Sequence, residues 1–410
     1  MMNPLRRIPL LLSLLAALAA LLATGCAKAP RVAEGRLDTP EHHTIRGLDF
    51  IEEGNWAEAA RSFDLALSLG KDFGPAYAGK AIVVAHEADP KTMPEGRREQ
   101  IYNKASDLLE QARKNAKGDE QERAYRVAAI RVHRLTQFPR DFVANAEGHF
   151  DKAVKLDPRG LDPDPYFYMA QAYRDAFQLN KAQEMYRKVL GMNTSKTGKA
   201  DEELSLVQKI LRAEPGSRVG KVIAFDDTIT RADIAALFVE ELRLGRLYLR
   251  GNTSQFDTAF KPPAGQQQFQ ADTLVKAPEA SDIDNHPLRA DIQEVLKLRV
   301  SGLQPDPAHQ FHPNATVLRG EFAMMVEDIL VKVTGEQGIK TKFIGQPSPF
   351  RDVRSDVPWF NAIQVVSTRS LMEPKDKVNG IFKPGDPIAG ADALLVLRLL
   401  KDELRSYIRS

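Results

Sequence analysis

Two features of this chain could do chemistry by residue type and spacing: one thiol and one histidine pair. Cys26 is the sole cysteine, so it cannot close an internal disulfide. It directly follows an apolar run from Ile8 to Ala23, which Arg6 and Arg7 precede. Ala23, Thr24 and Gly25 supply the small side chains of a cleavage site. His309 and His312 stand near Asp306 in an H-x-x-H that could ligate a metal. No helix fixes both rings there and no cysteine completes the set, so no metal site is assigned. No phosphate-cradling glycine loop, dinucleotide fingerprint, H-E-x-x-H or G-x-S-x-G occurs. The many acidic residues on helix faces define no acid–base pair without a cleft. No catalytic residue and no cofactor is expected.

The segment before Cys26 resembles a bacterial lipoprotein signal peptide. The family places Leu three residues before the cysteine; here Ala23 stands there, with Leu22 one further back. The resemblance implies cleavage after Gly25, acylation of Cys26 and membrane attachment through its lipid. The rival reading is an uncleaved anchor, for which the apolar run is shorter than the ~20 residues that span hydrocarbon. Ala27 follows the cysteine where inner-membrane lipoproteins often carry Asp. The resemblance therefore implies the outer membrane of a two-membrane bacterium, most simply facing the periplasm.

Without residues 1–25 the formal charge falls from +2 to zero. A neutral chain gives no electrostatic support to nucleic-acid binding. Its length suits two or three domains and its 43% hydrophobic content suits a globular protein. No later apolar run is long enough to cross a membrane. Residues 26–45 lack periodicity and are read as a flexible tether.

Residues 46–216 are read as helical pairs. Gly47, Phe50, Ala59, Phe63 and Ala66 recur at helical spacing around a Gly54-Asn55 turn. Small residues let helices approach closely, and an aromatic three or four positions away fills the remaining gap. Ala146, Phe150, Ala153 and Pro158 repeat one such second helix, and Asp164-Pro165 opens another pair. There Tyr166, Met169, Ala170, Tyr173, Ala182, Tyr186 and Val189 carry the small–aromatic frame across both helices. Glu120 to Gln137 and Ala200 to Ala213 also read as helices of this stack. The pattern resembles the tetratricopeptide repeat, which implies a helical solenoid with a protein- or peptide-binding surface. Helical spacing assigns Ala59, Phe63, Ala146, Phe150, Ala170, Tyr173, Ala182 and Tyr186 to repeat packing rather than to ligand contact.

Composition changes beyond Val219, where short helices alternate with Pro, Gly and Asp turns. Three lines align: Ile229-Thr230-Arg231-Ala232-Asp233, Val317-Leu318-Arg319-Gly320-Glu321 and Ile388-Ala389-Gly390-Ala391-Asp392. Each opens an apolar run with an acid in its first turn, where the helix dipole favours negative charge. Thr230 with Asp233 reads as a capping box. Two lines follow a matching first half that ends in Phe311-His312-Pro313 or Phe382-Lys383-Pro384.

This region, 217–405 with an insertion near 251–280, resembles the S-layer homology domain. The resemblance implies an α-helical, pseudo-threefold bundle that holds peptidoglycan or secondary wall polymer in grooves between units. It makes Arg231 and Arg319, at the family's signature arginine, and Trp359 and Asp352, at its first-helix aromatic and preceding acid, candidate glycan-binding residues. Gly390 replaces that arginine in the third line. A guanidinium fork suits a glycan carboxylate. The structural alternative makes the arginines solvated residues pairing with Asp233 and Glu321, and Trp359 a core residue.

The expected fold is thus mainly α. A tetratricopeptide-like helical solenoid is followed by an S-layer-homology-type pseudo-threefold bundle. The expected function is a non-enzymatic envelope lipoprotein, binding wall glycan at one end and partner proteins through its repeats. A scaffold that binds only proteins is the alternative, and an envelope glycan-acting enzyme is the minority reading.

Overall fold

The structure, a computed structural model, describes residues 32–250, 278–405 and 407. The expected lipid site, Cys26, and most of the expected insertion lie outside these residues. Sixteen α-helices and no strand form among the described residues. None of those helices is long and apolar enough to cross a membrane. The chain divides into two compact units, residues 1–196 and 197–410.

The first unit is a succession of helical hairpins. α1 (Pro40–Glu52) packs on α2 (Trp56–Leu69), and α3 (Gly74–His86) packs on α4 (Glu95–Asn115). α5 (Gly118–Thr136) pairs with α6 (Phe142–Lys155), and α7 (Asp164–Asp175) with α8 (Leu179–Met192). The first helices also pack in succession, α1 on α3, α3 on α5 and α5 on α7.

Residues 40–45, expected as tether, are helical. Thr39 caps α1 by accepting the His42 amide at 3.2 Å, Pro40 occupies the first turn, and Glu41 faces the dipole. Short-range capping thus starts the helix before any apolar period begins. Gly54 adopts φ +77° in the α1–α2 turn, as the Gly-Asn pair requires.

Phe63 is a wedge between the first helices of this unit and is fully buried. A methyl group on Gly47 or Gly79 would lie 2.6 or 2.2 Å from its ring. Three helices therefore meet around one phenyl ring because two of them present no side chain to it. Ala59, Ala146, Ala170, Ala182 and Tyr186 are fully buried and Tyr173 is nearly so. Phe150 is only half-buried, its ring edge-to-face with Tyr166 at 5.3 Å.

A polar network crosses this unit. Tyr168 donates to Glu52 Oε1 at 2.6 Å, and Lys196 Nζ donates to the Tyr168 hydroxyl at 3.2 Å. Lys196 also lies 3.5 Å from Asp164, and the Arg131 guanidinium covers the Tyr168 ring at 4.2 Å.

The second unit begins with α9 (Thr197–Ala213), which packs on the last helix, α16 (Gly390–Glu403). This differs from the expectation that 200–213 belongs with the repeats and that the division falls at 216. Helical periodicity identifies the helix but not the face it meets. The remaining elements are α10 (Arg218–Ile223), α11 (Arg231–Glu240), α12 (Leu244–Arg250), α13 (Arg289–Lys297), α14 (Arg319–Thr334), a 3₁₀ turn (Gln337–Thr341) and α15 (Phe360–Thr368). α11 packs on α13, and α14 packs on α15.

Three extended residues join the second unit at its centre. Ile229 N donates to Ile388 O at 3.1 Å, Ile388 N to Val317 O at 3.0 Å, and Val317 N to Ile229 O at 3.1 Å. The bonds close a ring, and all three side chains are fully buried. α11, α14 and α16 each begin two residues after a ring member, so the three aligned sequence lines radiate from one point.

Candidate functional site

The four candidate residues of the second unit fall around two similar loops. Arg231 is the first residue of α11. Thr230 Oγ1 accepts the Asp233 amide at 3.2 Å and Asp233 accepts the Thr230 amide at 2.8 Å, completing the capping box read from the sequence. The cap leaves the Arg231 side chain to turn toward the Phe311 loop. Its Nε donates to Phe311 O at 2.8 Å, Nη1 to Gly302 O at 2.6 Å and Nη2 to Gln304 O at 3.0 Å. The guanidinium carbon sits 4.8 Å from the centre of the Phe311 ring.

Arg319 repeats this arrangement from the start of α14. Nε donates to Phe382 O at 3.1 Å, Nη2 donates to Glu373 O at 2.8 Å, and the Phe382 ring centre is 4.8 Å away. Arg319 is 3% exposed. Burial lowers the pKa of both arginines from the usual guanidinium value.

An acid holds each loop from its other side. Asp352 accepts the amides of Phe382 at 2.9 Å and Lys383 at 2.6 Å. Asp282 accepts those of Phe311 at 2.8 Å and His312 at 2.7 Å. Burial raises the Asp282 pKa, but the two amide hydrogen bonds outweigh it and hold the carboxyl below its ordinary range. Each buried phenylalanine therefore has its carbonyl bound by an arginine and its amide bound by an aspartate. Asp282 stands outside the four candidate residues; its place before the Phe-x-Pro loop, matching Asp352, is the signal that identifies it.

Glu321 does not pair with Arg319. Its carboxylate accepts the Leu318 amide at 2.9 Å, so it caps its own helix. Trp359 is half-buried at the start of α15 and lies against Gly320, where a methyl group would stand 2.9 Å from the indole. Gly320 N donates to Pro384 O at 2.9 Å, so the indole borders the Arg319 loop. The structure thus brings Arg319, Asp352 and Trp359 around residues 382–384, while Arg231 serves the separate loop at 311–313.

The third position is built differently. A methyl group on Gly390 would lie 1.7 Å from Ile223 O, so the backbone of α10 fills the space a side chain would need. Gly390 N donates to Asp226 O at 2.8 Å. Asp392, matching Asp233 and Glu321, pairs instead with Lys209 at 2.5 Å and Lys375 at 2.7 Å. Burial raises its pKa, but the two lysines prevail and keep it below the ordinary aspartate value.

His312 Nε2 lies 2.9 Å from Asp306, while His309 takes φ +59° in the same turn. Among the described residues no group of three or more His, Cys, Asp or Glu side chains is placed to hold a metal ion. No family model and no curated protein matches this chain.

Proposed function

We propose that this chain is a non-enzymatic, lipid-anchored scaffold of the bacterial envelope. Its tetratricopeptide-like repeats dock partner proteins, and its S-layer-homology-like bundle engages peptidoglycan or wall polymer. Acylated Cys26 holds it at the outer membrane, facing the periplasm.

The observation that supports this reading is the Arg–Phe–Asp clamp, built twice from matching positions around one hydrogen-bonded ring. Repeated units arranged in this way are what the resemblance implies. Within this reading the guanidinium groups of Arg231 and Arg319 shape the loops beside the ligand, because their bonds run to backbone carbonyls.

Purified chain from Cys26 onward, mixed with sacculi and sedimented, tests the wall half of the proposal. Retention above a control protein, lost after secondary polymer is stripped, assigns the polymer. Retention that survives stripping assigns peptidoglycan. No retention removes the wall role and leaves a scaffold that binds only proteins. That second reading is favoured by the engagement of both arginines within the fold.

A further inference from the structure

α9 has no counterpart among the three aligned lines of the bundle, yet it builds a groove there. Against α16 and the turn after α15 it encloses about 440 Å³, within the ~300–1,000 Å³ usual for ligand clefts. Leu371 and Met372 are buried along this groove, and Leu399 is 36% exposed. No aromatic side chain lines the groove, so a sugar ring finds no flat face to stack on.

Its polar rim is mostly cationic and includes Arg319, whose guanidinium is already bound to the Phe382 and Glu373 carbonyls. Lys209 and Lys375 flank Asp392, whose single charge is shared between them at 2.5 and 2.7 Å. Glu373 is turned to Lys377 at 2.7 Å. Arg212 lies three residues beyond Lys209 on α9, is exposed, and has no hydrogen-bond or ion-pair partner among the described residues. Two lysines sharing one carboxylate, beside an unpartnered guanidinium, leave an excess of positive charge over an aliphatic floor. A carboxylate meets such a guanidinium through two parallel hydrogen bonds, and an adjacent apolar side chain covers Leu399.

We infer that the α9–α16 groove binds an acidic peptide segment with an apolar side chain, contributed by a partner protein. This goes beyond the docking role proposed for the repeats, because it gives the bundle a protein site of its own.

The test uses the chain from Cys26 onward and a fluorescein-labelled probe, Glu-Leu-Asp-Leu-Glu. Its amide twin Gln-Leu-Asn-Leu-Gln, polyglutamate and soluble muropeptides serve as competitors. The probe binds by fluorescence polarisation and the amide twin fails to displace it. Arg212→Glu and Leu399→Asp each weaken binding at least ~10-fold, while circular-dichroism melting shows both units still folded. Three results overturn the inference: no binding at millimolar peptide, unchanged binding by both variants, or equal displacement by polyglutamate. A fourth, displacement by muropeptides at lower concentration than by unlabelled probe, would assign the groove to glycan instead. Sacculus retention is read separately, so either proposal can fail without the other.

Discussion

Arg319 covers the ring of Phe382 at 4.8 Å while its Nε donates to the carbonyl of that same residue at 3.1 Å. One guanidinium thus fixes both the side chain and the backbone of the loop, and Asp352 fixes the amide. The carbonyls of Phe382 and Glu373 have this buried cation as their donor, so its loss is felt as unmet hydrogen bonding as well as lost packing.

Replacing Arg319 with Ala is expected to destabilise the second unit by about 2–4 kcal/mol. Arg319→Lys recovers little, because one ammonium cannot reach two carbonyls in a fixed plane. Arg231→Ala costs less, since its Nη1 lies nearer solvent. Urea unfolding followed separately for the two units measures all three, and an unchanged midpoint for Arg319→Ala contradicts the clamp.

Gly390→Ala places a methyl group against Ile223 O, a contact that only backbone movement relieves. The expected cost is ~3 kcal/mol or more, confined to the second unit. The matching residues on α11 and α14 are arginines, so Gly390→Arg tests whether a third clamp can form. It is expected to unfold this unit rather than add a contact. Thermal melting with probes in each unit separates the outcomes.

Gly79→Ala drives a methyl group into the Phe63 ring and is expected to destabilise the first unit by about 2–3 kcal/mol. Adding Phe63→Leu gives back part of that loss, because the smaller side chain frees the space. A double-mutant cycle checks this coupling; strictly additive costs mean the ring is not the obstacle.

His133 and His149 face each other at 5.7 Å in the first unit. Burial lowers both pKa values, that of His149 to about 4, with further lowering there from His133, Arg126 and Lys152. The folded histidines therefore stay neutral while the unfolded chain takes up protons below its ordinary value. Their contribution is complete above about pH 6.5 and is lost as pH falls toward about 4. A loss of about 2–3 kcal/mol is expected over that window. Denaturant midpoints from pH 7 down to pH 4 measure it, and His149→Gln should flatten the slope.

Tyr168→Phe removes the hydroxyl that links Glu52 to Lys196 and is expected to cost the first unit about 1–2 kcal/mol. Lys196→Met tests the same link from its cationic end. Proteolysis near the 196–197 division should quicken in both variants if the link pins the chain there.

The sequence makes some of these relationships visible and hides others. Ala59, Ala170, Ala182 and Tyr186 are legible because a helix buries residues at a fixed period. The capping box at Thr230 and Asp233 is legible because its partners lie three positions apart. The role of Arg319 is not, since Phe382 lies 63 positions away and either a solvated or a ligand-binding arginine suits its neighbours. The partnership of α9 with α16 is hidden for the same reason. Gly390 shows only an absent side chain in sequence; Ile223, brought up from an earlier helix, supplies the physical reason.

The ring through Ile229, Val317 and Ile388 also sets an order of events during synthesis. Ile388 is the last of its three members to be synthesised, so two of its three hydrogen bonds wait for that residue to leave the ribosome. The first unit can complete its local hairpins while this happens. A ribosome stalled shortly before residue 388 should therefore carry a folded first unit and an open second one, with Ile229 and Val317 exposed to chaperones.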